Sequence, residues 1–433
     1  MKLRLFPCIV PWRLAVIAFL MATMSLANAQ KAAEEAVAEA PSEEAAPKGW
    51  FERNLGDALP DALAKGKFNL NARLRYEDAD QFGLKPADAL TIRTRFGFTT
   101  APWHGLQAMI EGENTKIIGA DVNYNDLRGN NVGHTVVADP ELTEVNRVWL
   151  SYSRWDTTVK AGRQRIVLDN ARFVGNVGWR QAEQTYDAVS VVNKSIEDTT
   201  LLYAYIGNVV RVNGTHLDSE SHAINASYAG WKYGKITGYS YLLNLPSSAP
   251  AIANLSSYTY GGSLNGAIPV TENFKATYHG EIACQTEGSE SALNYQAEYY
   301  HVNGGGDTKW FNVNAGYEVL GSDNGTGFFT PLATLAKWNG WADAFLLGTP
   351  GGGLRDTYVS ATAKLPWNIP LNVTYHHFTS DSGGGGLGEE IDVTLSRKFG
   401  KNWAALARYA HFDGTSVGPA DRDKFWLQVE FNY

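Results

Sequence analysis

The chain has 433 residues, with 37 Lys and Arg against 45 Asp and Glu and a formal charge of −8, a balance that argues against a nucleic-acid partner. Aromatic residues and glycine are abundant, with Tyr 21, Phe 18, Trp 13 and Gly 43. A mean hydropathy of −0.26 excludes a bundle of membrane helices but not a barrel, in which only alternate residues meet lipid. Met1 to Ala29 reads as a secretory signal, with Lys2, Arg4 and Arg13 in front, an apolar stretch from Leu14 to Leu26, and Ala27-Asn28-Ala29 as the cleavage site. That stretch is shorter than the roughly 20 residues that span a bilayer. The signal takes three basic and no acidic residues with it, so the remaining chain moves from −8 to about −11. Cys8 leaves too, and Cys284 stays unpaired, so there is no disulfide framework.

Residues 30–66 read as a periplasmic segment whose Ala- and Glu-rich stretch, 31–48, is broken by Pro41 and Pro47 and reads as a solvated linker in preference to a frayed helix. From Lys67 the pattern changes to period two. Phe68, Leu70, Ala72, Leu74 and Tyr76 alternate with Asn69, Asn71, Arg73, Arg75 and Glu77, and the same alternation recurs over 311–319. Strands are expected at 67–77, 89–99, 105–115, 143–154, 157–165, 185–193, 199–207, 220–229, 234–243, 258–268, 272–284, 292–302, 309–320, 354–364, 369–379, 389–398, 402–411 and 422–433. The even connections are short, among them 101–104, 155–156, 230–233, 269–271, 365–368 and 399–401, whereas 116–142, 166–184, 244–257 and 321–353 are long. Bacterial barrels alternate long extracellular loops with short periplasmic turns in this way. The predicted fold is therefore all-β: a transmembrane antiparallel barrel of about 18 strands over residues 67–433, in the outer membrane of a Gram-negative-type bacterium. The final run Phe425 to Tyr433 reads as the closing strand, with Phe425, Leu427, Val429, Phe431 and Tyr433 toward lipid and Trp426, Gln428, Glu430 and Asn432 toward a polar lumen.

Alternation turns Arg73, Arg75, Arg93, Arg95 and Arg147 inward, because an Arg facing lipid near the midplane costs about 2–4 kcal/mol. A guanidinium fork matches the two oxygens of a carboxylate, so these side chains are candidate ligands for an acidic solute. Arg172 and Arg180 lie on the 166–184 loop, placed to fold into the pore mouth. The competing reading is that the arginines brace the wall, with Arg93 projected opposite Glu111 as a cross-strand pair. Lumen carboxylates Glu77, Glu113, Glu298, Glu318, Glu390, Asp392 and Glu430 would offset the basic charge.

Gly162-Arg163-Gln164-Arg165, the run from Arg172 to Gln181, Tyr186-Asp187, Arg93-Thr94-Arg95-Phe96-Gly97 and the late stretch Thr330 to Asp343 resemble the alginate-export family of outer-membrane barrels. The resemblance covers nearly the whole chain from Phe68 to Tyr433. It implies an eighteen-stranded barrel whose arginine-rich lumen conducts a polyanionic polysaccharide. The implied partners are outer-membrane lipid, the barrel-assembly machinery and an acidic polysaccharide or oligosaccharide. The alternative is a diffusion porin for small solutes in which the same charges set ion selectivity.

An outer-membrane enzyme is the third class, and no Gly-x-Ser-x-Gly or His-Glu-x-x-His motif supports it. No cofactor or metal ligand set is read from the sequence. Asp121 to Asp126 starts like a calcium loop but has Asp126 where Gly is needed and Val132 where Glu is needed. His376 and His377, adjacent on a strand, face opposite sides and cannot share a metal. The 321–353 loop is crowded with Leu332, Leu335, Trp338, Trp341 and Phe345 and is expected to pack as a short helix over or into the lumen. The short turns at the other end leave no candidate for a long gating turn from below.

Overall fold

In the computed structural model, residues 58–119, 123–346 and 348–433 are described. The signal and most of the 30–66 segment lie outside them; the end of that segment is a short helix, α1 (Ala58–Ala64), just ahead of the barrel. Thirteen residue ranges carry the first part of the wall: β1 (Lys67–Gln81), β2 (Ala87–Thr99), β3 (Leu106–Ile117), β4 (Leu142–Arg154), β5 (Thr157–Gln164), β6 (Thr185–Asn193), β7 (Thr199–Val210), β8 (His216–Tyr228), β9 (Lys235–Leu243), β10 (Ser257–Thr271), β11 (Phe274–Glu287), β12 (Gln296–Thr308) and β13 (Phe311–Leu320). A two-residue hairpin, β14 (Ser322–Asp323) with β15 (Thr326–Gly327), follows. The wall resumes with β16 (Leu354–Leu365), β17 (Ile369–Thr379), β18 (Gly386–Phe399), β19 (Trp403–Gly414) and β20 (Arg422–Asn432).

Apart from the small hairpin these strands form one 18-stranded antiparallel sheet. It closes where β20 runs antiparallel to β1, with Glu430 opposite Arg73 and Gln428 opposite Arg75. Closure removes both edges, so every strand finds a partner without water, as a bilayer requires. The side-chain distribution is inverted relative to a soluble protein. Phe96, Ile110, Leu150, Ile282 and Val302 are exposed on the outside while Arg75, Arg93, Glu77 and Glu318 are buried. Only a lipid-facing exterior makes that arrangement favourable.

The expected turn at 269–271 is instead the end of β10, and the chain reverses at 272–273 after a register shift between Pro269 and Thr271. A Pro is tolerated there because the ladder is already irregular. Loop lengths alternate less fully than expected, since the long-loop end also carries short connections at 82–86, 211–215 and 380–385. Glu298 is on the outer face next to Tyr300, not in the lumen. β12 starts at Gln296 with Ala297, Tyr299 and His301 pointing in, and Glu298 accepts a hydrogen bond from the Tyr300 hydroxyl near the strand end, where the interface tolerates charge.

The long connections turn inward. The 321–353 loop enters the lumen, but among its described residues the only helical piece is a single 3-10 turn at Leu335–Lys337. Phe328, Leu332, Ala342 and Ala344 from it pack with Phe173 and Val174 of the 165–184 loop against lumen-facing Tyr186, Tyr239, Tyr299, Phe378, Phe412 and Trp426. From the 118–141 loop, Tyr124 and Val137 pack against Ala79, Ala87 and Ala89 at the top of β1 and β2.

Candidate functional site

The strands β1 to β4 supply a belt of charge at mid-height. Residues two apart share a face, so β1 presents Arg73, Arg75 and Glu77, β2 presents Arg93 and Arg95, and β3 presents Glu111 and Glu113, all buried. A bulge between Glu111 and Gly112 leaves Asn146 of β4 without an opposite residue on β3. The extra residue lets Asn146 and Arg147 both look inward. Arg147 forks onto Glu111, with Nε to Oε1 at 2.9 Å and Nη2 to Oε2 at 2.8 Å, while Asn146 Nδ2 donates to Glu111 Oε1 at 2.8 Å and Glu183 Oε1 at 2.9 Å.

The arginines do more than face the lumen: they hold the 165–184 loop by its backbone. Arg73 Nη1 donates to the carbonyls of Gly178, Trp179 and Arg180 at 3.1–3.3 Å. Arg75 Nη2 donates to Trp179 O at 2.6 Å, and its guanidinium lies 4.2 Å from the Trp179 ring centroid. Arg93 Nη1 and Arg95 Nη2 both donate to Gln181 O, at 3.1 and 3.2 Å. Carboxylates balance the belt: Glu430 lies 3.2 Å from Arg73 and 3.5 Å from Arg93, and Arg95 is hydrogen-bonded to Glu113 and 3.6 Å from Glu183. The cross-strand partner of Arg95 is Glu113, whereas Arg93 stands opposite Thr115 and Glu111 opposite Gly97. The projected Arg93 to Glu111 pair is thus displaced, because the β2–β3 reversal turns at His104–Gly105, where Trp103 pairs with Leu106, about two residues later than a pairing centred on Pro102 assumes.

The two loop arginines separate. Arg180 returns to the belt, with Glu77 at 3.1 Å, Asp343 at 2.6 Å and Asp139 at 3.9 Å, tying three inward loops to β1. Burial opposes its charge, yet Glu77, Asp343 and Asp139 outweigh that and hold the guanidinium above its ordinary value. Asp343, shared with Lys424 at 2.7 Å, is held below the usual carboxylate range against the opposing effect of burial by Lys424 and Arg180. Glu183 is likewise lowered to about 2: burial would raise it, but Arg95, Arg165 and Asn146 prevail. Arg172 crosses the lumen to Glu318 on β13 at 2.7 Å, with Trp338 beside it at 5.2 Å. It also lines a cavity at the loop end together with Phe329, Trp338 and Asn339.

Several members were not singled out from sequence. Arg408 on β19 sits between two inserted tryptophans, 3.8 Å from the ring centroid of Trp179 and 3.8 Å from that of Trp341. Its inward parity was readable from Ala407 and Tyr409 on either side, but the tryptophans come from two distant loops. Lys424, Asp139, Glu183 and Asp343 were missed for the same reason. His376 and His377 do face opposite sides: His376 is 2.9 Å from Asp356 in the lumen, and His377 is 3.3 Å from Glu389 outside.

The model of the alginate export family matches residues 65–309, more than half of the chain. The chain belongs to the alginate export family. Among solved structures, this family member is similar to OpdK of Pseudomonas aeruginosa crystallised with vanillate, at a TM-score of 0.68 and 14% identity over 86% of this chain and 99% of that one. OccAB2 of Acinetobacter baumannii gives the same values, and OccK9 of Pseudomonas aeruginosa gives 0.66 and 12% over 86% and 100%. None of the curated proteins matches the chain. At such identities the likeness concerns the fold, and it agrees with the closed barrel. This alginate export family member is an outer-membrane channel with a charged, loop-narrowed lumen.

Proposed function

We propose that the channel passes an acidic, alginate-like polysaccharide, passively and without chemistry on it. The observation that carries this reading is the belt of fixed guanidiniums at mid-lumen in a member of the alginate export family. Each cation already has a wall carboxylate or a backbone carbonyl, so a passing uronate would exchange with a partner instead of filling an empty site. Exchange keeps binding favourable enough to enter and loose enough to leave. Arg147, whose side chain keeps 20% exposure, and Arg408, clamped by tryptophans, are the cations we assign to contact with the passenger, with Arg73, Arg75, Arg93, Arg95, Arg172 and Arg180 setting the field and holding the loops.

A second reading, passage of small carboxylates, is favoured by the three inserted loops that narrow the lumen and by the vanillate held by the similar barrel OpdK. Current through single channels in planar bilayers separates the two. The polysaccharide reading expects block by oligouronides, little block by neutral oligosaccharides, and weaker block in Arg147→Ala/Arg408→Ala or at raised salt, since such contacts are screened over about 8 Å at physiological ionic strength. Equal block by neutral and acidic oligomers would overturn it. Block confined to monomeric carboxylates would favour the second.

A further inference from the structure

On the wall across from the arginine belt, β11 and β12 bring together three side chains that the conduit does not use. His279 and Glu281 are two apart on β11 and so share its inner face. His301 on β12 stands directly opposite Glu281. One donor atom from each lies within 4.8 Å of the others, and the two imidazole centroids are 4.9 Å apart. His279 Nε2 is 3.3 Å from Glu281 Oε2, close to the roughly 3.4 Å between neighbouring ligands of a tetrahedral ion with bonds of about 2.1 Å.

Hydrogen bonding does not account for this cluster. His301 is only 4% exposed, and its Nδ1 has no hydrogen-bond partner in the protein; His279 Nε2, although near Glu281, has none either. Buried ring nitrogens left unpaired are costly. The surroundings, by contrast, orient the three groups from behind. His301 Nε2 is 3.0 Å from the Tyr358 hydroxyl, which also accepts from Asn303 Nδ2 at 3.0 Å. With Nε2–H donating to Tyr358, Nδ1 carries the lone pair. Glu281 Oε1 accepts from the Tyr239 hydroxyl at 2.9 Å, and Oε2 accepts from Asn170 Nδ2 at 3.2 Å. Such outer partners fix the tautomer and direction of metal ligands.

We infer that His279, Glu281 and His301 bind one divalent first-row transition-metal ion in the lumen wall, with a coordination position left for water or a passing carboxylate. Two imidazoles and one carboxylate suit zinc, nickel, copper or cobalt far better than calcium or magnesium, which want oxygen. Closing the widest gap takes a shift of about an ångström, within reach of side-chain rotation. The site stands whether the passenger is a polysaccharide or a small acid.

The test uses the full barrel, purified without a histidine tag, stripped of metal in detergent, and titrated with Co2+ followed by Zn2+. One Co2+ per chain should appear with visible d–d absorption and be displaced by Zn2+. His279→Gln and His301→Gln should each weaken binding by tenfold or more, and Tyr358→Phe, which keeps the ring, by about tenfold to hundredfold. His377→Gln, on the outer face, should bind as the parent does. Heat-modifiable mobility on gels reports folding; if a histidine variant does not fold, Tyr358→Phe decides. Absence of stoichiometric Co2+ binding in the parent, or unchanged affinity in the folded variants, would overturn the assignment.

Discussion

At the scale of single residues, Arg180 is the hub of the inserted loops. Replacing it by Ala leaves Glu77 and Asp343 buried with Lys424 beside them, and Asp139 with Arg75 at 3.6 Å, so each loses a partner. Breaking a buried ion pair from one side costs about 3–5 kcal/mol, and here the cost falls on loop anchorage, because the barrel ladder stays intact. We expect Arg180→Ala to insert normally but to show noisier open-channel current and faster proteolysis within 165–184; a quiet, protease-resistant channel would contradict the hub role. The pH response follows from Glu183. Its carboxyl is depressed to about 2 in the fold against about 4.3 when free. The anchorage it provides is therefore fully present above about 4.3 and is lost as pH falls toward 2. Loop protection measured by proteolysis or hydrogen exchange should hold between pH 7 and 5 and decline only below about 4.

At the scale of elements, the 165–184 loop is one of the insertions that narrow the lumen. Its Phe173 packs among Tyr239, Tyr299 and Phe328 with ring centroids 5.2–5.9 Å apart, and its backbone from 178 to 181 is gripped by four arginines. Replacing residues 168–182 by a short Gly-Ser linker should raise single-channel conductance severalfold and leave the barrel assembled. Phe173→Ala removes one apolar anchor, at a cost of about 3–5 kcal/mol for a buried Phe, and should give intermediate conductance. Conductance unchanged by the linker replacement would mean that another element sets the constriction.

At the scale of the whole molecule, the inside and outside of the barrel obey opposite rules. Val359 on β16 is 49% exposed to the outside while its neighbour Ser360 looks inward, where Thr374 and Asn372 bond it. Val359→Arg should cost about 2–4 kcal/mol when the barrel inserts into lipid, whereas Ser360→Arg should cost less because its head meets the polar lumen. Folding into vesicles, followed by urea titration and gel mobility, measures both. Equal losses would mean that this stretch lies away from the bilayer midplane.

The eighteen strands, their alternation and the inward direction of Arg73, Arg75, Arg93, Arg95 and Arg147 were legible in the residues, because a strand has a period of two and lipid penalises any other assignment of Arg. The closing strand was legible for the same reason: Leu427 and Val429 could only be outside if Gln428 and Glu430 were inside. What the chain order could not convey is which charge meets which. Arg95 meets Glu113 instead of Arg93 meeting Glu111, because register depends on turn length to the single residue. Asn146 faces inward beside Arg147 because of a bulge that alternation cannot foresee. Glu298 faces outward because its neighbours Ala297 and Tyr299 face inward, where Tyr299 packs against Phe173 and Phe328 of the inserted loops. The clamp of Trp179 and Trp341 on Arg408 and the hub at Arg180 join residues from separate loops and strands. Only barrel closure and loop insertion bring those groups within reach of one another, since contacts at such separations are set by tertiary packing and leave no periodic trace in the sequence.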